Sequence, residues 1–167
     1  MAERRRFDPL AILATLERHR VSYVVIGAFA RVIQGAEELT EGVDIVPSTR
    51  AENLRRLDQA LRDLNARTAD GKEPALTDAL PDDQPVLELS TDRGELKIVP
   101  RPAGTRGYDD LRRAASREPL GRGVRPSVAS VNDLARMLAA LGRETDEPKL
   151  RALHRLAELE RQLGVEL

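Results

Sequence analysis

Val24-Val25-Ile26-Gly27-Ala28, followed by Leu39-Thr40-Glu41-Gly42-Val43-Asp44-Ile45-Val46, decides how this chain is read. The first segment is a short, β-branched run with no polar position before its glycine, which marks a strand covered on both faces. Gly27 then turns the chain into a helix over Ala28 to Gln34, closed by Gly35. The second segment carries a strand, Val43 to Val46, that Pro47 ends. Side chains two apart on a strand share a face, so positions 42 and 44 look the same way. A third stretch, Gly94-Glu95-Leu96-Lys97-Ile98-Val99, alternates in polarity and pairs with Val86 to Ser90 as a hairpin turning near Arg93-Gly94.

Working outward, Asp8 before Pro9 is an N-cap with proline at the first helical position, and Leu10, Leu13 and Leu16 continue a helix to about Arg20. Thr49-Arg50-Ala51-Glu52 reads as a capping box, with Leu54, Leu57, Leu61 and Leu64 along one helical stripe. Thr68 to Pro85 is polar and rich in Pro, Asp and Gly, the composition of a mobile loop. A short helix is expected over Tyr108 to Ser116, then a Gly/Pro-rich loop over Pro119 to Pro126. Ser130 with Asp133 opens a helix carrying Leu134, Leu138 and Leu141. Thr145 opens a last one carrying Leu150, Leu153, Leu156 and Leu163. The expected architecture is α/β (α+β): a small mixed sheet backed by helices mostly on one face, residues 1–126, with a C-terminal helical hairpin, residues 127–167, packed on it.

The chain has 167 residues, 41% hydrophobic and 33% charged, enough for one core and not for two. Aromatics make up 2%, so stacking of bases on exposed rings is not a main binding mode. The formal charge of -1 offers no global attraction to a polyanion; any nucleic-acid contact needs a local patch. Arg112, Arg113, Arg117, Arg122 and Arg125 are such a cluster, but Asp109, Asp110 and Glu118 dilute them and a solvated surface is expected. His19 and His154 read as isolated, solvent-facing histidines that support no zinc site. Zero cysteines and no apolar run long enough to cross a bilayer point to a cytoplasmic protein without membrane contact.

These segments in this order resemble the small bacterial nucleotidyltransferase-like proteins related to the AbiEii/MenT toxins of toxin–antitoxin systems. The resemblance runs from Tyr23 through Arg101-Pro102-Ala103-Gly104-Thr105-Arg106-Gly107-Tyr108-Asp109-Asp110-Leu111 into the Ser130 helix. It implies a nucleotidyltransferase-like fold and a nucleotide site formed by Gly27, Ala28, Thr40 and Lys97 around Asp44. In that family a strand-borne Asp-x-Asp pair and a third aspartate hold two magnesium ions on the nucleotide phosphates, and the glycine turn grips a phosphate. Carried onto this chain, the pair falls on Gly42 and Asp44 and the third aspartate on Lys97.

Only Asp44 keeps its carboxylate. Gly42 removes one ligand, and Lys97 puts a cation where divalent ions would sit. The expectation is that the Lys97 ammonium pairs with Asp44 in place of the metal, with no metal or other cofactor bound. Ala28 replaces a smaller or hydroxylated residue at the glycine turn, and Leu138 stands near a position where the family tends to carry lysine. The resemblance therefore implies a degenerate, inactive homologue serving as a binding or regulatory module for a protein partner, a second copy, a nucleotide or RNA. The alternative is an active magnesium-dependent transferase moving a nucleotide from NTP to tRNA or protein, with Glu41 or Glu95 supplying a missing carboxylate.

Overall fold

The sheet is assembled around its most apolar strand, as the covered-on-both-faces reading requires. The computed structural model describes residues 7–76, 80 and 86–164. Helix α1 (Pro9–Arg18) begins where Asp8 Oδ1 accepts the Ala11 N–H at 3.1 Å, as the cap predicts. Strand β1 (Tyr23–Ile26), buried at all four positions, runs directly into α2 (Gly27–Ile33). Then follow β2 (Gly42–Pro47) and α3 (Ala51–Asp63), whose Leu54, Leu57, Leu61 and Leu64 are all buried.

Strands β3 (Leu87–Thr91) and β4 (Gly94–Ile98) form the hairpin, with Thr91 opposite Gly94 across a two-residue turn at Asp92-Arg93. Helix α4 (Tyr108–Leu111) is a single turn, and β5 (Ser116–Arg117) and β6 (Ser127–Val128) are two-residue strands. The helix expected over Tyr108 to Ser116 thus stops early, and the stretch expected as loop lies between two short strands. Their alternation is too brief to register as a pattern in sequence. Helix α5 (Val131–Leu141) starts on Ser130, whose Oγ accepts the Asp133 N–H at 3.0 Å, and ends on Gly142 in the left-handed region. A 3-10 turn (Glu144–Asp146) precedes α6 (Glu147–Gln162), so the last helix opens at Asp146 and not at Thr145.

The six strands lie in the order β3-β4-β2-β1-β6-β5. β1 is antiparallel to β2 and parallel to β6, while β2 runs parallel to β4. Helix α1 packs on α3, α2 on α5, and α5 on α6. Residues from all six helices and from β1 to β4 and β6 pack into or against one apolar core.

Two expectations about local order change. The capping box at Thr49 does not form; Arg50 takes the N-cap position of α3, and no side chain caps the helix. The stretch from Thr68 is tied down as far as Leu76, which is 1% exposed and donates its N–H to Asp58 Oδ1 at 3.0 Å. Residues 77–79 and 81–85 of that stretch lie outside the described residues. His19 is paired, with Nε2 on Asp63 Oδ2, because the ends of α1 and α3 meet.

Candidate functional site

Strand register gathers the sequence-nominated residues at one end of the sheet. Asp44 lies opposite Ile26 on β1 and opposite Lys97 on β4, and Gly42 lies opposite Glu95. Directly paired residues share a face, so Gly42, Asp44, Glu95, Lys97 and Glu88 look into one space. Ala28, Leu39, Thr40, Glu41, Gly42, Asp44, Glu95 and Lys97 line a pocket of about 260 Å³ there. Gly27 backs it: its φ is +72°, and a Cβ added to it would lie 2.4 Å from Asp44 Oδ2. Glycine at 27 is thus required twice, for its backbone and for the room it leaves the carboxylate.

Lys97 corrects the expected pairing. Its Nζ lies 3.7 Å from Glu88 Oε1, and among the described residues Asp44 forms no ion pair or side-chain hydrogen bond. The hairpin register explains this. A turn at Asp92-Arg93 sets Lys97 opposite Glu88, whereas a turn one residue later would set it opposite Ser90. Counting back from a two-residue turn was the signal that could have found Glu88. β4 is also flanked by both β3 and β2, so Lys97 is not guarding a sheet edge.

Burial raises the Asp44 carboxyl above its ordinary value; the charges of Lys97 and Arg31 oppose that rise and Glu88 adds to it. Arg31 is held behind the site in a two-pronged pair with Glu38, Nε to Oε2 at 2.6 Å and Nη2 to Oε1 at 3.0 Å, with both side chains nearly buried. That pair, which the sequence did not announce, fixes the segment bearing Leu39, Thr40 and Glu41 against α2. The Thr40 hydroxyl donates to the Gly42 carbonyl at 2.9 Å, so it shapes the turn into β2.

The residues present do not fit a two-metal centre. Among the described residues no group of three His, Cys, Asp or Glu side chains is arranged to hold a metal ion. A side chain at position 42 would also be cramped, since a Cβ there lies 3.0 Å from the Glu95 carbonyl oxygen and 3.1 Å from Glu95 Cβ. The rim carries Glu41, Asp44, Glu88 and Glu95 against one lysine already paired. That balance disfavours a bare triphosphate.

No protein-family model and no curated protein matches the chain. Solved structures do. The lincomycin-bound lincosamide antibiotic adenylyltransferase LnuA is 16% identical, with a TM-score of 0.61 over 92% of this chain and 99% of that one. The antibiotic-resistance factor ANT(2″)-Ia is 15% identical, with a TM-score of 0.58 over 89% and 80% of the two chains. A Thermotoga maritima protein assigned as a nucleotidyltransferase is 18% identical, with a TM-score of 0.55 over 87% and 89%. At such identities the likeness is one of fold, and function has to be argued from the site. The mixed sheet, its helices and these neighbours together give the chain a nucleotidyltransferase-like fold.

Proposed function

We propose that this chain is a degenerate nucleotidyltransferase homologue that works as a binding or regulatory module and does not carry out metal-dependent nucleotide transfer. The observation that carries the reading is Lys97 standing in register beside Asp44, with Gly42 two residues before it. Two of the three positions that would present carboxylates to magnesium present a hydrogen atom and an ammonium group. One carboxylate at those three positions, with no group of three acids arranged around it among the described residues, has neither the charge nor the geometry to hold two divalent ions on a triphosphate. A pocket with an acidic rim and one lysine drawn towards Glu88 suits a partner that brings its own positive group, such as a basic side chain of another protein. A role in a toxin–antitoxin pair, in the manner of AbiEii relatives, is consistent with such a module.

The active-transferase reading is kept by one observation: Asp44 is still pressed against Gly27, and burial still raises its carboxyl, which suits it to accept a proton. The deciding experiment incubates the protein with labelled NTPs, magnesium and either tRNA or a protein acceptor, alongside calorimetric titration of NTPs with and without magnesium. The module reading expects no labelled acceptor and no gain in NTP affinity from magnesium. Magnesium-dependent labelling that Asp44→Asn abolishes would overturn it and establish transfer to that acceptor.

A further inference from the structure

The opposite end of the same strands holds a second, chemically different site. β2 ends at Pro47, three residues and roughly 10 Å along the strand from Asp44. Beyond it Ser48, Thr49 and Arg50 lead into α3, and across from them Pro100 opens the loop to Gly107. Ser48, Thr49, Arg50, Arg101, Arg106 and Asp109 are among the residues lining a depression of about 150 Å³.

Three features of this depression point to an anion. Ser48 is 8% exposed and lines it; its N–H is spent on Ser22 O at 3.0 Å and its carbonyl on Asn53 Nδ2 at 2.8 Å, yet its hydroxyl has no partner among the described residues. Helix α3, thirteen residues long, begins here without a side-chain cap, so its first-turn N–H groups keep their capacity to donate. Arg50, Arg101 and Arg106 form no ion pair among the described residues, while Asp109 is held by Arg112 Nε at 3.4 Å. Unpaired guanidinium groups beside free backbone donors match the tetrahedral oxygens of phosphate.

The arginine-bearing loop is held in place. A Cβ at Gly107 would lie 2.7 Å from the Pro100 carbonyl oxygen, and one at Gly104 would lie 2.8 Å from Ala140 Cβ. Arg136 Nη1 donates to the Gly104 carbonyl and to Asp110 Oδ2, each at 3.1 Å. Arg106 and Asp109 also border a wider neighbouring depression that contains Arg113, which likewise forms no ion pair among the described residues.

We propose that Ser48, the first turn of α3, Arg101 and Arg106 form a binding site for a phosphate group, supplied by a nucleotide or by a nucleic-acid backbone. It is separate from the Asp44 pocket and does not depend on how that pocket functions. The test follows the amide resonances of Ala51, Glu52 and Asn53 while inorganic phosphate, AMP and a short single-stranded RNA are titrated into the full chain. Saturable shifts are expected, weakened at least tenfold in Arg101→Ala/Arg106→Ala and also in Ser48→Ala, and unaltered in Lys97→Met. Tightest binding by AMP assigns the phosphate to a nucleotide. Tightest binding by RNA, falling steeply with salt, assigns it to a backbone. Absence of saturable shifts with all three probes, or shifts that the arginine and serine variants leave unchanged, overturns the site.

Discussion

Gly27 and Asp44 define each other. With φ at +72° and only 2.4 Å between an added Cβ and the Asp44 carboxylate, Gly27→Ala must strain the turn and displace the acid together. A loss of about 1–3 kcal/mol in unfolding free energy is expected, measured by urea denaturation. An unchanged midpoint would mean that the turn relaxes freely. Asp44 itself sets a pH dependence. Its folded value is raised above the ordinary 3.8 by burial, so native protein keeps a proton there that the unfolded chain has released. The stability it contributes is full below that ordinary value and is lost as pH rises through the folded one. Asp44→Asn, which stays neutral, should therefore gain stability relative to wild type as pH rises from below the ordinary carboxylate value through the raised folded one, read from denaturation midpoints. A constant difference across that range would contradict the burial. The resemblance, carried onto residue identities, singled out Gly42, Asp44 and Lys97. It did not announce Glu88 as the lysine's partner, because partners are set by register.

Between elements, the most consequential contacts are made by polar groups whose partners lie far away in sequence. Asn53 on α3 accepts the Ser22 N–H at 2.7 Å and donates to the carbonyls of Ser22 and Ser48 at 2.9 and 2.8 Å, stitching the start of β1 to the end of β2. Asn53→Ala leaves the Ser22 N–H and the buried Ser48 carbonyl without a partner, while the Ser22 carbonyl keeps the Ser48 N–H, and should cost about 1–3 kcal/mol in urea denaturation. A loss under about 0.5 kcal/mol would show that water replaces the amide without penalty. The helices were legible where their signals are local: Asp8 with Pro9, Ser130 with Asp133, and the leucine stripe of α3. Thr49-x-x-Glu52 carries the same kind of signal and failed, because Arg50, one residue later, takes the N-cap position. Sequence spacing describes what a cap could do; the path of the chain out of β2 decides which residue is in place to do it.

Across the whole molecule, α6 packs on α5 and joins the core through a single buried face. Leu153 is 0% exposed and belongs to the same core as Val25, Ile45 and Leu57. Leu153→Ala should cost about 2–5 kcal/mol. Because one core serves sheet and helices alike, far-UV dichroism and the Tyr23 and Tyr108 signals should still lose structure in one coincident transition. Separate transitions would mean that the last two helices unfold on their own. Read as an unfolded string, the chain already disclosed its alternation, its covered central strand and its helical stripes. Each of these is a property of residue type at short spacing, which needs no distant neighbour. Folding alone settled that Lys97 meets Glu88, that Arg31 and Glu38 pair out of water, and that Ser48, Arg50, Arg101 and Arg106 converge. Those outcomes depend on pairing register and on where loops return, and such distances exist only once the sheet has closed around its core.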